Sequence, residues 1–184
     1  MTGPDRAEIA ALTPDRIADL LAASATTVVA ELLALGDESG WRPELGEWSA
    51  NECVGHLIEA ERRGFAGRIR TILAGAASGA RPALEAWDQV GVAAARRDHL
   101  RAGAELAAEF DALRADGLAL VRGLRQGDLV RVGDHPEVGP LRVDELLGEW
   151  VHHDRSHIRQ MLAVSQARVW PQMGNARRFS LEDL

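Results

Sequence analysis

The run RVDELLGEWVHHDRSHIRQMLAVSQA, residues 142–167, decides the fold. Within it Leu146, Trp150, His153, His157 and Val164 recur at gaps of four, three, four and seven, the repeat of one face of an α-helix. A stripe of that length stays out of water only if other helices cover it. Asp144 and Glu145 suit the positive end of the helix dipole, and Pro171 prevents continuation beyond the run.

Three further segments carry the same periodicity. Thr13-Pro14-Asp15 supplies a cap, a first-turn proline and a first-turn acid, so a helix is predicted from there to Leu35, ending at Gly36. Ser49-Ala50-Asn51-Glu52 is a capping-box pattern that opens a second helix, predicted to run unbroken to about Ala74 before Gly75. A third is predicted over roughly Val92 to Leu124. Between the second and third, residues 76–90 are rich in Gly, Ala and Pro and read as a long loop. Gly127, Gly133, Pro136, Gly139 and Pro140 mark a second connection over residues 125–140.

The expected architecture is all-α, a four-helix bundle, with almost no strand because no segment alternates with period two over a useful length. With 184 residues, one domain spanning 1–184 is predicted, its core at about 14–166 and a tail at 171–184. The level of the histidines along their helices favours antiparallel second and fourth helices. The topology expected is therefore up-down-down-up, with a long crossover between helices two and three and short links elsewhere.

Composition narrows the function. Apolar residues make up 46% of the chain, enough for a core, and the absence of Tyr beside abundant Ala, Leu, Arg and Glu favours helix. A net charge of −7 provides no field for a phosphate backbone, so no nucleic acid is expected as partner. The pairs Arg62-Arg63, Arg96-Arg97 and Arg177-Arg178 read as solvated faces. Cys53 is the only cysteine, which rules out an intrachain disulfide and suggests a small buried hydrophobe. MTGPDRAEIA lacks the layout of a signal peptide, and Leu20 to Leu35 reads as too short and polar to span a bilayer. The location expected is the cytoplasm, without a membrane partner.

His153 and His157, four apart, stack on one face and can present two imidazoles to one ion. His152 lies about 100° round the helix and is expected to be exposed. His56, on the second helix, would complete a three-nitrogen set that leaves a coordination position open, as in catalytic rather than structural zinc sites. Glu149, one turn before His153, either orients that ring or is solvated. Trp48, Trp87 and Trp150 either line a pocket or pack the core. His99 and His135 fall outside the pattern. No nucleophile elbow, P-loop, dinucleotide fingerprint or paired Glu-x-x-His motif is present.

Two runs together carry a resemblance. Trp48, the cap at Ser49, Glu52 and His56-Leu57 form the first, and His135-Pro136-Glu137-Val138-Gly139-Pro140-Leu141 followed by His153 to Gln160 forms the second. In these the chain, over roughly residues 14–166, resembles the DinB/YfiT-like metalloenzyme family. The resemblance implies a helical bundle, often a homodimer, with one divalent ion held by His56, His153 and His157, and it leaves Gln160 near the site. Zinc is the first expectation for that ion, with nickel, manganese or iron as alternatives. Some relatives use a low-molecular-weight thiol, mycothiol or bacillithiol, in S-transfer or isomerisation, so a thiol cofactor is among the expectations. The implied activity is a metal-dependent hydrolase or thiol S-transferase acting on a small molecule. The alternative is a non-catalytic module that metal and dimerisation stabilise. Loop 76–90 is expected to shape substrate choice.

Overall fold

A computed structural model describes residues 11–44, 46–76, 79 and 81–181. The stretch MTGPDRAEIA, read above as lacking a signal peptide, lies outside the described residues, as does the end of the tail.

Helix α1, Pro14–Leu35, begins and ends where its signals place it: Thr13 Oγ1 accepts from Arg16 N–H at 3.3 Å and Gly36 takes φ 55° at the stop. The second segment opens with the capping box, Ser49 and Glu52 each satisfying the other's backbone donor. It does not run unbroken. Helix α2, Ala50–Glu59, passes into a wide π-type turn at Ala60–Gly64, bends at Phe65, and resumes as α3, Ala66–Ala76. The third segment is also broken. Helix α4, Gln89–Arg96, stops at Arg97, which takes a left-handed φ of 48°, and α5 spans Gly103–Arg122. The first break includes Gly64 just before the bend, a single glycine that the helical reading passed over, and the second carries neither Gly nor Pro at Arg97.

The connection before the last helix holds a short α6, Gln126–Leu129, and a hairpin of β1, Val132–His135, with β2, Gly139–Arg142. These strands pair antiparallel, Val132 opposite Arg142 and His135 opposite Gly139. The expectation of a short link there is thus corrected; the hairpin packs its backbone at Gly133 closely against Ile72 and Leu84. Helix α7, Val143–Val169, is the long helix predicted from residues 142–167, and α8, Arg177–Leu181, follows in the tail.

Side-chain contacts give the direction of each bundle helix. Along α1 and α7, Leu20 O meets Arg155, and Glu31 meets Ser165, so the two run parallel. Along α1 and α5, Leu21 O accepts from Arg114 and Asp19 faces Arg122, so these are antiparallel. Cys53 approaches Gln160 while Glu61 accepts from Trp150, which makes the α2 segment and α7 antiparallel. The order is up-down-down-up, and the crossover it demands is the stretch between α3 and α5.

Two apolar clusters fill the interior, one around Leu21, Phe65, Ile69, Val143 and Trp150, the other around Val28, Leu32, Val54, Ile58, Phe110 and Met161. Pro14–Glu38 meets the length and hydropathy of a membrane span, contrary to the reading of Leu20 to Leu35. Its Ile17, Leu21, Ala25, Val28 and Leu32 are nevertheless buried against the other helices. Between the clusters sits a buried charge network: Arg114, 1% exposed, donates to Asp154 at 2.6 and 3.1 Å, to Glu61 at 2.8 Å and to Leu21 O at 2.9 Å. Burial pushes the Glu61 carboxyl up to about 7, against the pull of Arg114. Because Asp154 follows His153 in the chain, this network fixes how α7 is rotated and hence where its histidines face.

Candidate metal centre

His56 comes from α2, His153 and His157 from successive turns of α7. One ring nitrogen from each lies within 4.8 Å of the others. The closest pair is Nε2 of His56 and Nε2 of His153 at 3.0 Å. The His56–His157 and His153–His157 ring centroids are both 4.5 Å apart. The three residues singled out by sequence are therefore together, while His152 is exposed on another face of α7.

Burial, reinforced by the neighbouring imidazoles, lowers His56 to about 4 and His153 to about 3, and burial lowers His157 against the opposing pull of Gln160 and Asp154. All three rings are consequently neutral near pH 7, with lone pairs available. Gln160 Oε1 lies 2.6 Å from His157 Nδ1, so that nitrogen carries the proton and Nε2 is left as the donor. Nδ1 of His56 and of His153 are buried without a hydrogen-bond partner among the described residues. Glu149 is exposed and so does not orient His153.

A cleft of about 710 Å³ opens onto the rings, lined also by Pro43, Trp48, Gln89, Gln160 and Val164. Trp48 stacks on His157 at 6.1 Å and Trp87 on His56 at 5.8 Å between ring centroids. Trp87 comes from the crossover, as expected of the stretch 76–90, whereas Trp150 is fully buried core. Cys53 lies one helical turn before His56, but burial drives its thiol up to about 12, which removes it as a nucleophile.

Asp98 was not singled out by sequence, yet it braces α2 behind His56. It is 2% exposed, held by Arg96 at 2.6 Å and Arg101 at 3.2 Å. Its carboxylate sits so close to Gly55 that a Cβ there would fall 1.8 Å from Oδ2. Arg96 also reaches Glu59 at 2.7 Å, so it belongs to this half-buried network and not to a solvated face. His99 bonds with Arg42 beside Glu52, and His135 with Arg68, both away from the three-ring cluster.

A profile of the DinB superfamily matches residues 21–161, which takes in all three histidines. The chain belongs to the DinB superfamily. Among solved structures, this DinB chain is similar to YfiT from Bacillus subtilis, described as a probable metal-dependent hydrolase with an unusual four-helix bundle topology. That match has a TM-score of 0.74 and 18% identity, and covers 89% of this chain and 91% of that one. An uncharacterised protein from Clostridium difficile 630 matches with a TM-score of 0.63 and 8% identity, over 86% of this chain and 98% of its own. No curated protein matches. At these identities the two structures speak for the fold, which they share with this DinB chain.

Proposed function

We propose that this DinB chain is a metal-dependent enzyme of the hydrolase type, with His56, His153 and His157 holding one divalent ion. The observation that carries the reading is the convergence of three neutral imidazoles at the floor of an open cleft. The donor set fits the ion: two Nε2 atoms stand 3.0 Å apart, and one nitrogen from each of the three rings lies within 4.8 Å of the others, close enough for one cation to be held between them. Three nitrogen ligands suit zinc, nickel or iron and leave room for a substrate group. When bound, the ion supplies a Lewis acid that polarises a substrate oxygen and makes a nucleophile available near neutral pH.

The chain's own residues do the rest. Gln160 fixes the His157 tautomer, while Trp48 and Trp87 exclude water and offer flat apolar faces to the substrate body. The similarity to YfiT supports a hydrolytic reaction on a small molecule. Thiol-dependent S-transfer would use the same centre with a low-molecular-weight thiol, and Cys53 cannot stand in for that thiol. A homodimer is part of the proposal, since Leu33, Leu162 and Val169 leave apolar side chains exposed on α1 and α7.

The test is elemental analysis of the purified protein, with a screen of esters, amides and electrophiles run with and without added thiol. Stoichiometric metal with turnover that a chelator abolishes supports the reading. A protein that takes up no divalent ion at micromolar concentrations, or whose ion has four protein ligands, would remove its basis. Light scattering that finds only monomer at micromolar concentration would remove the dimer.

A further inference from the structure

A second cleft, of about 480 Å³, shares Gln89 and His153 with the histidine cleft. Its apolar lining includes Phe65 and Trp87, and its polar lining includes Arg68 of α3 and His135 of β1. The nearby arginines Arg62, Arg63 and Arg70 each pair with a carboxylate. Arg68 forms no ion pair among the described residues, and its Nε is buried without a hydrogen-bond partner. Its Nη2 donates to Glu85 O at 3.2 Å and faces His135 Nε2 at 2.9 Å.

Both contacts engage Nη2 and leave Nε without an acceptor. His135 Nδ1 already accepts from Glu137 N–H at 3.3 Å. A neutral imidazole has one accepting nitrogen, so His135 can accept from the Glu137 N–H or from Arg68 but not from both. Burial, together with the Arg68 charge, lowers His135 and keeps the ring neutral. The cleft thus presents a half-buried cation whose Nε lacks an acceptor, beside an imidazole that cannot accept from both its neighbours, next to a candidate ligand of the ion. A planar oxyanion with two acceptor oxygens is the group that completes them.

We propose that Arg68 and His135 bind the carboxylate of the substrate, its apolar body lying against Phe65 and Trp87 and its reacting group directed to the His153 side. The proposal rests on the histidine centre being the reaction site. Glu137, Glu145 and Glu149 also line this cleft and are exposed, and Glu145 accepts from Arg142 N–H at 2.8 Å. Their charge opposes a dianion about twice as strongly as a monoanion, so the class favoured is a small apolar monocarboxylate over a phosphate ester.

Benzoate, benzamide and phenyl phosphate titrated into the full-length protein as purified, followed by calorimetry and by the histidine ring signals in NMR, test this. Benzoate is expected to bind saturably with the His135 signals shifting, and both benzamide and phenyl phosphate to bind at least about 10-fold more weakly. Arg68→Gln should weaken benzoate by about 10-fold or more while leaving benzamide unchanged. Arg68→Lys keeps the charge without the fork and should recover only part of the affinity, which serves if the glutamine variant does not fold. Benzoate binding that ignores both substitutions, shifts only His56, His153 and His157, or is matched by phenyl phosphate overturns the proposal. Arg68-dependent benzoate binding in a protein that takes up no metal would leave the carboxylate cleft standing and remove the metal reading. Metal uptake without Arg68-dependent binding would do the reverse.

Discussion

Nε2 of His56 and Nε2 of His153 meet at 3.0 Å across the interface of two antiparallel helices, 97 residues apart in the chain. The Arg114 network beside it sets the rotation of α7, and Asp98 against Gly55 sets the position of α2. Each half of the contact is thereby held from behind. Two such supports are what a preorganised ligand set requires.

Replacing either ring should empty the site. His153→Ala and His56→Ala are expected to lower bound zinc from about one equivalent to near zero, whereas His152→Ala retains it, because His152 occupies an exposed face of α7. Metal content by mass spectrometry after gel filtration checks this. Equal loss from all three variants would show that helix face does not govern binding.

Gln160 acts through His157. Gln160→Leu removes the acceptor at Nδ1, freeing the tautomer, and is expected to weaken zinc by about 10- to 100-fold with little change in melting temperature. Competition with a chromogenic chelator measures it. An unchanged affinity would mean that packing alone orients the ring.

The buried network should be costly to break. Arg114→Leu leaves the Asp154 carboxylate buried without its bidentate partner and should destabilise the fold by about 3–5 kcal/mol in urea unfolding. A loss below about 1 kcal/mol would show that the network is solvated in solution. Gly55→Ala should also destabilise, since its Cβ would overlap the Asp98 carboxylate.

Acid should weaken the metal-free protein. Burial lowers His56 to about 4 and His153 to about 3, while each titrates near 6.5 when unfolded. Between those values the unfolded chain binds more protons than the folded one. The stability contribution of each ring is therefore complete above about pH 6.5 and is lost as pH falls from there, toward 4 for His56 and toward 3 for His153. Glu61, raised to about 7, acts in the opposite sense, its contribution fading as pH rises from 4.5 through 7. With two rings against one carboxyl, unfolding free energy should drop between pH 7 and 5. A flat or rising profile in urea titrations would contradict this balance.

How much of this was legible follows from which forces are local. The ends of α1 and the start of α2 were readable because Thr13, Pro14, Gly36 and the Ser49–Glu52 box act on backbone groups within one turn. The breaks at Ala60–Gly64 and Arg97 were not, because the reasons for them lie elsewhere in the chain. Glu61 is turned inward to meet Arg114 and Trp150, and Arg97 is wound left-handed so that Asp98 can dock on Gly55. The β1–β2 hairpin is four residues a strand and packs on α3, too short for an alternating pattern to stand out.

The sequence by itself determined that the protein is helical, that α7 carries two histidines on its inward face, and that His56 lies on a second, capped helix, because periodicity and capping are properties of neighbouring residues. Only the tertiary structure decided that the three rings converge, that Trp87 crosses over to stack on His56, and that Arg68 meets His135 in an adjoining cleft. Those contacts join residues far apart in the chain, and they depend on how the helices are rotated and packed. Burial of Arg114 with Glu61 and Asp154 sets that rotation, and no single segment specifies it.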